Sequence, residues 1–145
     1  METEGVFAPE TVEEAREQYE NVGPAAQVVV RETVRAMAFD RKEYKERVTS
    51  DVVETARDAL FASLLVVHVG DRAEFEAWCE DHPDYDVTEV GNENVERVVW
   101  HAAPFAGEVA AATFQEERTA AVGTLRRQAF GRIYRDRLGA TNGAE

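Results

Sequence analysis

Apolar residues recur at helical spacing through the first sixty positions, shift to strand-like runs in the middle, and return to helical spacing at the end. The shift falls in Ala59–Gly70, ALFASLLVVHVG, the most apolar run of the chain, whose one ionisable side chain is His68. This stretch reads as a helix end feeding a buried strand.

Upstream, Thr11 with Glu14 makes a capping pattern, and Val12, Ala15, Tyr19 and Val22 share a stripe. They predict a first helix, ended by Gly23-Pro24. A second helix runs to about Phe39 on Ala26, Val30, Val34 and Met37. Asp40 with Glu43 opens a third on Tyr44 and Val48; Thr49-Ser50-Asp51 breaks or restarts it. Asp51 with Glu54 caps the second part, whose stripe is Val52, Ala56, Leu60 and Phe61.

Downstream, Leu64–Val69 has the Val-rich composition of a strand buried on both faces. Asp71 caps a short helix, Arg72–Glu80, with Phe75 and Trp78 inward, and His82-Pro83 stops it. Tyr85–Val90 is a weaker strand closed by Gly91-Asn92. Val95–Ala103 is the clearest: Val98, Trp100 and Ala102 point one way, Val99 and His101 the other. After the turn Pro104-Phe105-Ala106-Gly107, Glu108–Phe114 returns as a hairpin partner, with a helix left open by its alanines. The last helix, Glu116–Leu138, sets Val122, Leu125, Ala129 and Ile133 on its core face.

This order predicts an α+β fold. It has an N-terminal three-helix segment, a small, mainly antiparallel sheet of about four strands with helices on one face and at one end, and a long C-terminal helix. One domain is expected over 9–138, between a flexible N-terminus, 1–8, and a flexible tail, 139–145.

Composition adds a habitat. Asp and Glu number 29 against 16 Lys and Arg, for a net charge of −13. Arginine outnumbers lysine by 14 to 2, and Ile133 is the lone isoleucine. The acids are spread along the chain, which favours salt adaptation of the whole surface over a single face for a basic partner. No apolar run reaches the ~20 residues that span a bilayer. The acidic start METEGVF does not read as a signal peptide, and the single Cys79 excludes an internal disulfide framework. A cytoplasmic protein is expected.

Three groups of residues can carry chemistry. Cys79-x-x-His82 has the spacing of half a zinc site, which His68 and His101 could complete if their strands are neighbours. Against that stands the absence of a second paired half-site, and a lone Cys beside Trp78 on an amphipathic helix acts as a small hydrophobe. Asp81, Asp84 and Asp86 offer hard oxygen ligands in the loop after that helix, without the spacing of an EF-hand. The last helix is the most unusual feature. From Arg118 to Leu138 it carries six arginines (118, 126, 127, 132, 135, 137) and one acid, Asp136, for a charge of +5 on an acidic chain. Phe130 and Tyr134 are interleaved, a pattern that also suits nucleic acid. The helical wheel sets Arg126 and Arg137 beside the core stripe, where pairing with acids of the N-terminal helices is expected, and turns Arg132 and Arg135 outward. The chain has no Gly-rich phosphate loop, and its only serines, Ser50 and Ser63, sit in no nucleophile motif.

The stretches 7–20, 51–65, 78–87, 98–106 and 124–137 (FAPETVEEAREQYE, DVVETARDALFASLL, WCEDHPDYDV, VVWHAAPFA, TLRRQAFGRIYRDR) together resemble a haloarchaeal domain family of unknown function. The resemblance implies an archaeal cytoplasmic protein living in high potassium, and it transfers no catalytic residue. The chain therefore reads as a non-catalytic interaction or regulatory module, docking an acidic protein partner on Arg127, Arg132, Tyr134 and Arg135 without a cofactor. Two alternatives stand beside it. One is a small zinc-dependent or acid–base enzyme using His68, Cys79, His82 and His101; the other is RNA binding through the C-terminal helix. A membrane role is not expected.

Overall fold

The structure, a computed structural model, describes residues 1–142. It is α+β, with a five-stranded mixed sheet and a long C-terminal helical stretch. The strands are β1 (Glu2–Glu4), β2 (Val67–Asp71), β3 (Asp86–Val90), β4 (Arg97–Ala103) and β5 (Glu108–Phe114), in the order β1-β2-β4-β5-β3. Every neighbouring pair is antiparallel except β3 with β5. The helices are α1 (Val12–Asn21), α2 (Gly23–Ala36), α3 (Arg41–Arg47), α4 (Ser50–Ser63), α5 (Arg72–Asp81), α6 (Arg118–Ala129) and α7 (Arg135–Asn142), with a π-helical turn, Phe130–Tyr134, joining the last two.

β4 is buried on both faces, and that places the helices. Val99, His101 and Ala103 face the larger core, built with Phe61 of α4, Tyr19 of α1, and Leu125, Phe130, Ile133 and Tyr134 of the C-terminal stretch. Val98 and Trp100 face a smaller core closed by Phe75 of α5, with Val109 and Ala111 of β5. Helices therefore cover both faces of the sheet, where one face and one end were expected. The reason is topological. β2 and β3 run in the same direction with β4 and β5 between them, so their connection must cross the sheet, and α5 is that crossover. Arg72 at the start of α5 makes two hydrogen bonds, 3.0 and 2.8 Å, to the Glu89 carboxylate and fixes the edge strand β3 beneath it.

Three predicted caps form: Thr11, Asp40 and Asp71 accept from the backbone N–H of Glu14, Glu43 and Glu74, at 3.0, 2.8 and 2.8 Å. Glu74 returns a bond to the Asp71 N–H, completing a capping box. Other boundaries differ. Four helices precede β2, because the chain does restart at 49–51, although Thr49 rather than Asp51 is the cap. The fifth strand is β1, within the stretch expected to be loose. Its Glu2, Thr3 and Glu4 pair with Val69, His68 and Val67. Glu108–Phe114 is the strand, not the helix. At the other end α7 extends through Asn142, into the expected tail; residues 143–145 of that tail lie outside the described residues.

α2 ends in a Schellman motif, where Ala38 N–H donates to Arg35 O and Phe39 N–H to Val34 O, at 3.0 and 3.4 Å. The turn demands a left-handed residue, and Ala38 supplies it at φ 57°. A β-carbon in that conformation costs about 1 kcal/mol. Ala38→Gly is therefore expected to raise the unfolding free energy by about 0.5–1 kcal/mol, with the denaturation slope unchanged. Equal or lower stability in chemical denaturation contradicts this.

Candidate functional site

The predicted site residues fall in three places. His101 lies in the larger core with no exposed surface. Its Nδ1 lies 2.6 Å from the Val66 carbonyl, which can only accept, so Nδ1–H is the donor there. Nε2 is left as an acceptor and takes the hydroxyl proton of Tyr134 at 2.7 Å. Burial of this neutral ring lowers the His101 pKa from 6.5 to about 4, against the raising effect of the Val66 bond, with the positive charges of His68 and Arg126 adding to the fall. Burial raises the Tyr134 hydroxyl well above its ordinary value.

Tyr134, expected on the docking face, is thus fully buried. The π-turn is the cause. Arg135 N–H bonds the Phe130 carbonyl, five residues back, and the widened turn brings Ile133 and Tyr134 back onto the buried face of Val122, Leu125 and Ala129. A wheel drawn for an unbroken α-helix misses this change of phase.

His68 is on the opposite face of the sheet. Its backbone pairs with Trp100, so it shares the Trp100 face and not that of His101. Its Nδ1 is hydrogen-bonded to Thr3 Oγ1 at 3.1 Å, and its ring lies 5.5 Å from Trp100 and 6.3 Å from Trp78. Burial, followed by the charge of His82, lowers its pKa. His82 closes α5: its Nδ1–H donates to the Trp78 carbonyl at 2.7 Å, and its ring stacks on Trp78 at 3.9 Å. Cys79 is half-buried against the small core, and burial, with the negative charges of Glu89 and Glu76, raises its thiol pKa. The sheet thus separates His101 from the other three. Among the described residues no three His, Cys, Asp or Glu side chains converge to hold a metal ion, and that includes the loop of Asp81, Asp84 and Asp86.

The arginines divide into two sets. Arg118 bridges the carboxylates of Glu2 and Glu4, each at 2.6 Å, and holds β1 in the sheet. Arg126 donates from Nε to Leu65 O at 2.9 Å, while Arg137 reaches Ile133 O at 2.6 Å and Glu108 at 2.7 Å. Their partners are strands and backbone carbonyls rather than the acids of the N-terminal helices. Arg127, Arg132 and Arg135 are exposed and form no ion pair among the described residues.

Arg127 and Arg135 flank a hollow of about 390 Å³ between α4 and the C-terminal stretch, floored by Ala62 and Phe130 and edged by Thr55, Asp58 and Ala59. The Arg135 guanidinium lies 5.4 Å above the Phe130 ring. A smaller hollow of about 190 Å³ adjoins it, sharing Asp58, Phe130 and Arg135. There Tyr19 donates its hydroxyl to Asp58 at 2.5 Å beneath the Arg57 guanidinium, 4.2 Å above its ring. Burial first, then the Asp58 bond, pushes the Tyr19 pKa to about 12. The outer face of α4 was not among the sequence candidates, since Thr55, Asp58 and Ala59 carry no motif.

His101 generates a pH prediction. Its folded pKa lies below 6.5, so the unfolded chain takes up the proton first, and stability present above pH 6.5 falls as the pH drops toward 4. The loss is about 3 kcal/mol by pH 4. His101→Gln is expected to flatten the curve in that window relative to the parent, and parallel curves contradict it. Tyr134→Phe leaves the Nε2 acceptor unpaired and is expected to cost about 1–3 kcal/mol near neutral pH, measured by chemical denaturation.

Residues 6–135 match the profile of a family of unknown function (DUF5809), and the chain belongs to that family. No curated protein and no solved structure matches it.

Proposed function

We propose that the chain is a non-catalytic protein-interaction module of a halophilic archaeal cytoplasm, whose docking face is formed by Arg127, Arg132 and Arg135. One observation carries the reading. On a chain of net charge −13, these three exposed arginines have no ion-pair partner among the described residues, while Arg118 and Arg137 of the same helical stretch are ion-paired and Arg126 is bonded to backbone carbonyls. Two of them rim the same hollow beside an aromatic floor, an arrangement suited to a carboxylate-bearing partner held by paired guanidinium groups. Nucleic acid is the weaker fit. Tyr134 cannot stack on a base from inside the core, and phosphate contacts weaken steeply with salt.

Affinity capture from a halophilic host lysate at molar KCl, followed by mass spectrometry, tests the reading. A stoichiometric protein partner is expected with the parent chain and its loss with Arg132→Glu/Arg135→Glu, both substitutions lying at exposed positions. Undiminished capture by that variant removes the proposed face.

A further inference from the structure

The arginine hollow is one side of a larger surface. Across α4 lies a second hollow, about 430 Å³, enclosed by α2, α3 and α4 and lined by Val29, Val34, Met37, Phe39, Val48 and Val52 among others. Val29, Met37 and Val52 are 45, 59 and 40% exposed. Of the nine exposed large hydrophobics among the described residues, five (Val28, Val29, Met37, Tyr44 and Val52) lie on this hairpin of helices. Single exposed apolar residues need no explanation, but a concave cluster on so charged a chain does. Thr55 and Ala59 line both hollows, so the two are continuous over a low ridge of α4.

Charge selects the occupant. The charged side chains that line the two hollows are Arg47, Arg127 and Arg135 against Asp58, for a net +2. The chain as a whole carries −13. The surface is thus an apolar trough on an acidic protein, with Arg47 at one side and Arg127 and Arg135 at the other. A second copy docking about a two-fold axis would set the +2 rim against itself. A basic helix would meet like charge on both sides.

We propose that this trough seats an acidic amphipathic helix of a partner protein. Apolar side chains at i, i+3 or i+4, and i+7 fill the hollow of Val29, Met37 and Val52, and acidic side chains reach Arg127 and Arg135 over Thr55 and Ala59. The proposal rests on the arginine face being a docking site, and it supplies what that face lacks in salt. At molar ionic strength the Debye length is only ~3 Å, so apolar burial has to hold the acids at contact range.

Fluorescence anisotropy at molar KCl tests it with two labelled peptides of about 18 residues, long enough for five turns. Both carry Leu at the anchor spacing; one has Glu and the other Lys at the remaining positions. The full-length chain is expected to bind the Glu peptide saturably and not the Lys peptide. Val29→Asp/Met37→Asp, at exposed positions, is expected to weaken binding at least about tenfold, and Arg127→Glu/Arg135→Glu to weaken it as well. Failure of the Glu peptide to bind, or equal binding of the Lys peptide, overturns the helix seat. Weakening by the arginine pair alone also overturns it, while leaving the arginine face standing. Weakening by the apolar pair alone removes that face and with it the acidic occupant, so it overturns the proposal by the other route. Light scattering is expected to give a monomer; a dimer that Val29→Asp/Met37→Asp dissolves assigns the trough to a second copy and overturns the proposal.

Discussion

A ring with no exposed surface must satisfy both of its nitrogens, and His101 does so where three distant parts of the chain meet. One bond goes to Val66, 35 residues back, on the approach to β2; the other goes to Tyr134, 33 residues on. The second requires Tyr134 to share the buried face of Val122 and Leu125, and on an unbroken α-helix Tyr134, twelve residues after Val122, would lie about 120° round from it. The π-turn at Phe130–Tyr134 resolves the conflict by inserting one residue. Its effect continues to the surface. Two turns of α-helix take about seven residues, so residues eight apart are normally offset by about 80°. With one residue absorbed in the widened turn, Arg127 and Arg135 come to rim the same hollow. The buried hydrogen bond and the exposed arginine pair are two consequences of one irregularity.

Much of the fold is legible because its local signals agree. Val98 and Trp100 against Val99 and His101 reads directly as a strand buried on both sides, and Thr11, Asp40 and Asp71 declare three helix starts. What stays hidden depends on partners remote in sequence. β1 has no apolar alternation; it exists because β2 offers an open edge and Arg118, more than a hundred residues away, clamps Glu2 and Glu4. The zinc alternative turned on the same kind of unknown. A one-residue slip between β2 and β4 would exchange faces, and the register that opposes His68 to Trp100 puts the sheet between His68 and His101.

The candidate surface was half legible for a related reason. Helical spacing correctly grouped Ala26, Val30 and Val34 as buried, and it grouped exposed Met37 with them and exposed Val52 with buried Phe61. Periodicity reports which residues share a face and cannot report whether something covers it. Here α2 rests on α4, and α3 is too short to close the space between them, so the outer part of each apolar stripe is left lining a trough.

Salt distinguishes the charged contacts that build this protein from the three arginines that form no ion pair among the described residues. Exposed pairs such as Arg31–Glu32, with 57 and 50% of the two side chains accessible, contribute between 0 and about 1 kcal/mol even in dilute buffer. The contacts that position elements are of another kind. Arg126 bonds a neutral carbonyl at 2.9 Å, and Arg72 is only 14% accessible where it grips Glu89 with two parallel bonds. Short, directional, partly desolvated bonds survive screening that removes long-range attraction. Arg127, Arg132 and Arg135 are open to solvent, so at high ionic strength they can contribute only to an acid already held against them. An acidic surface approaching by electrostatic steering alone would not be held there. A partner whose apolar residues first occupy the neighbouring trough would be, and on the proposed reading this joins the arginine face and the apolar hollow in one site.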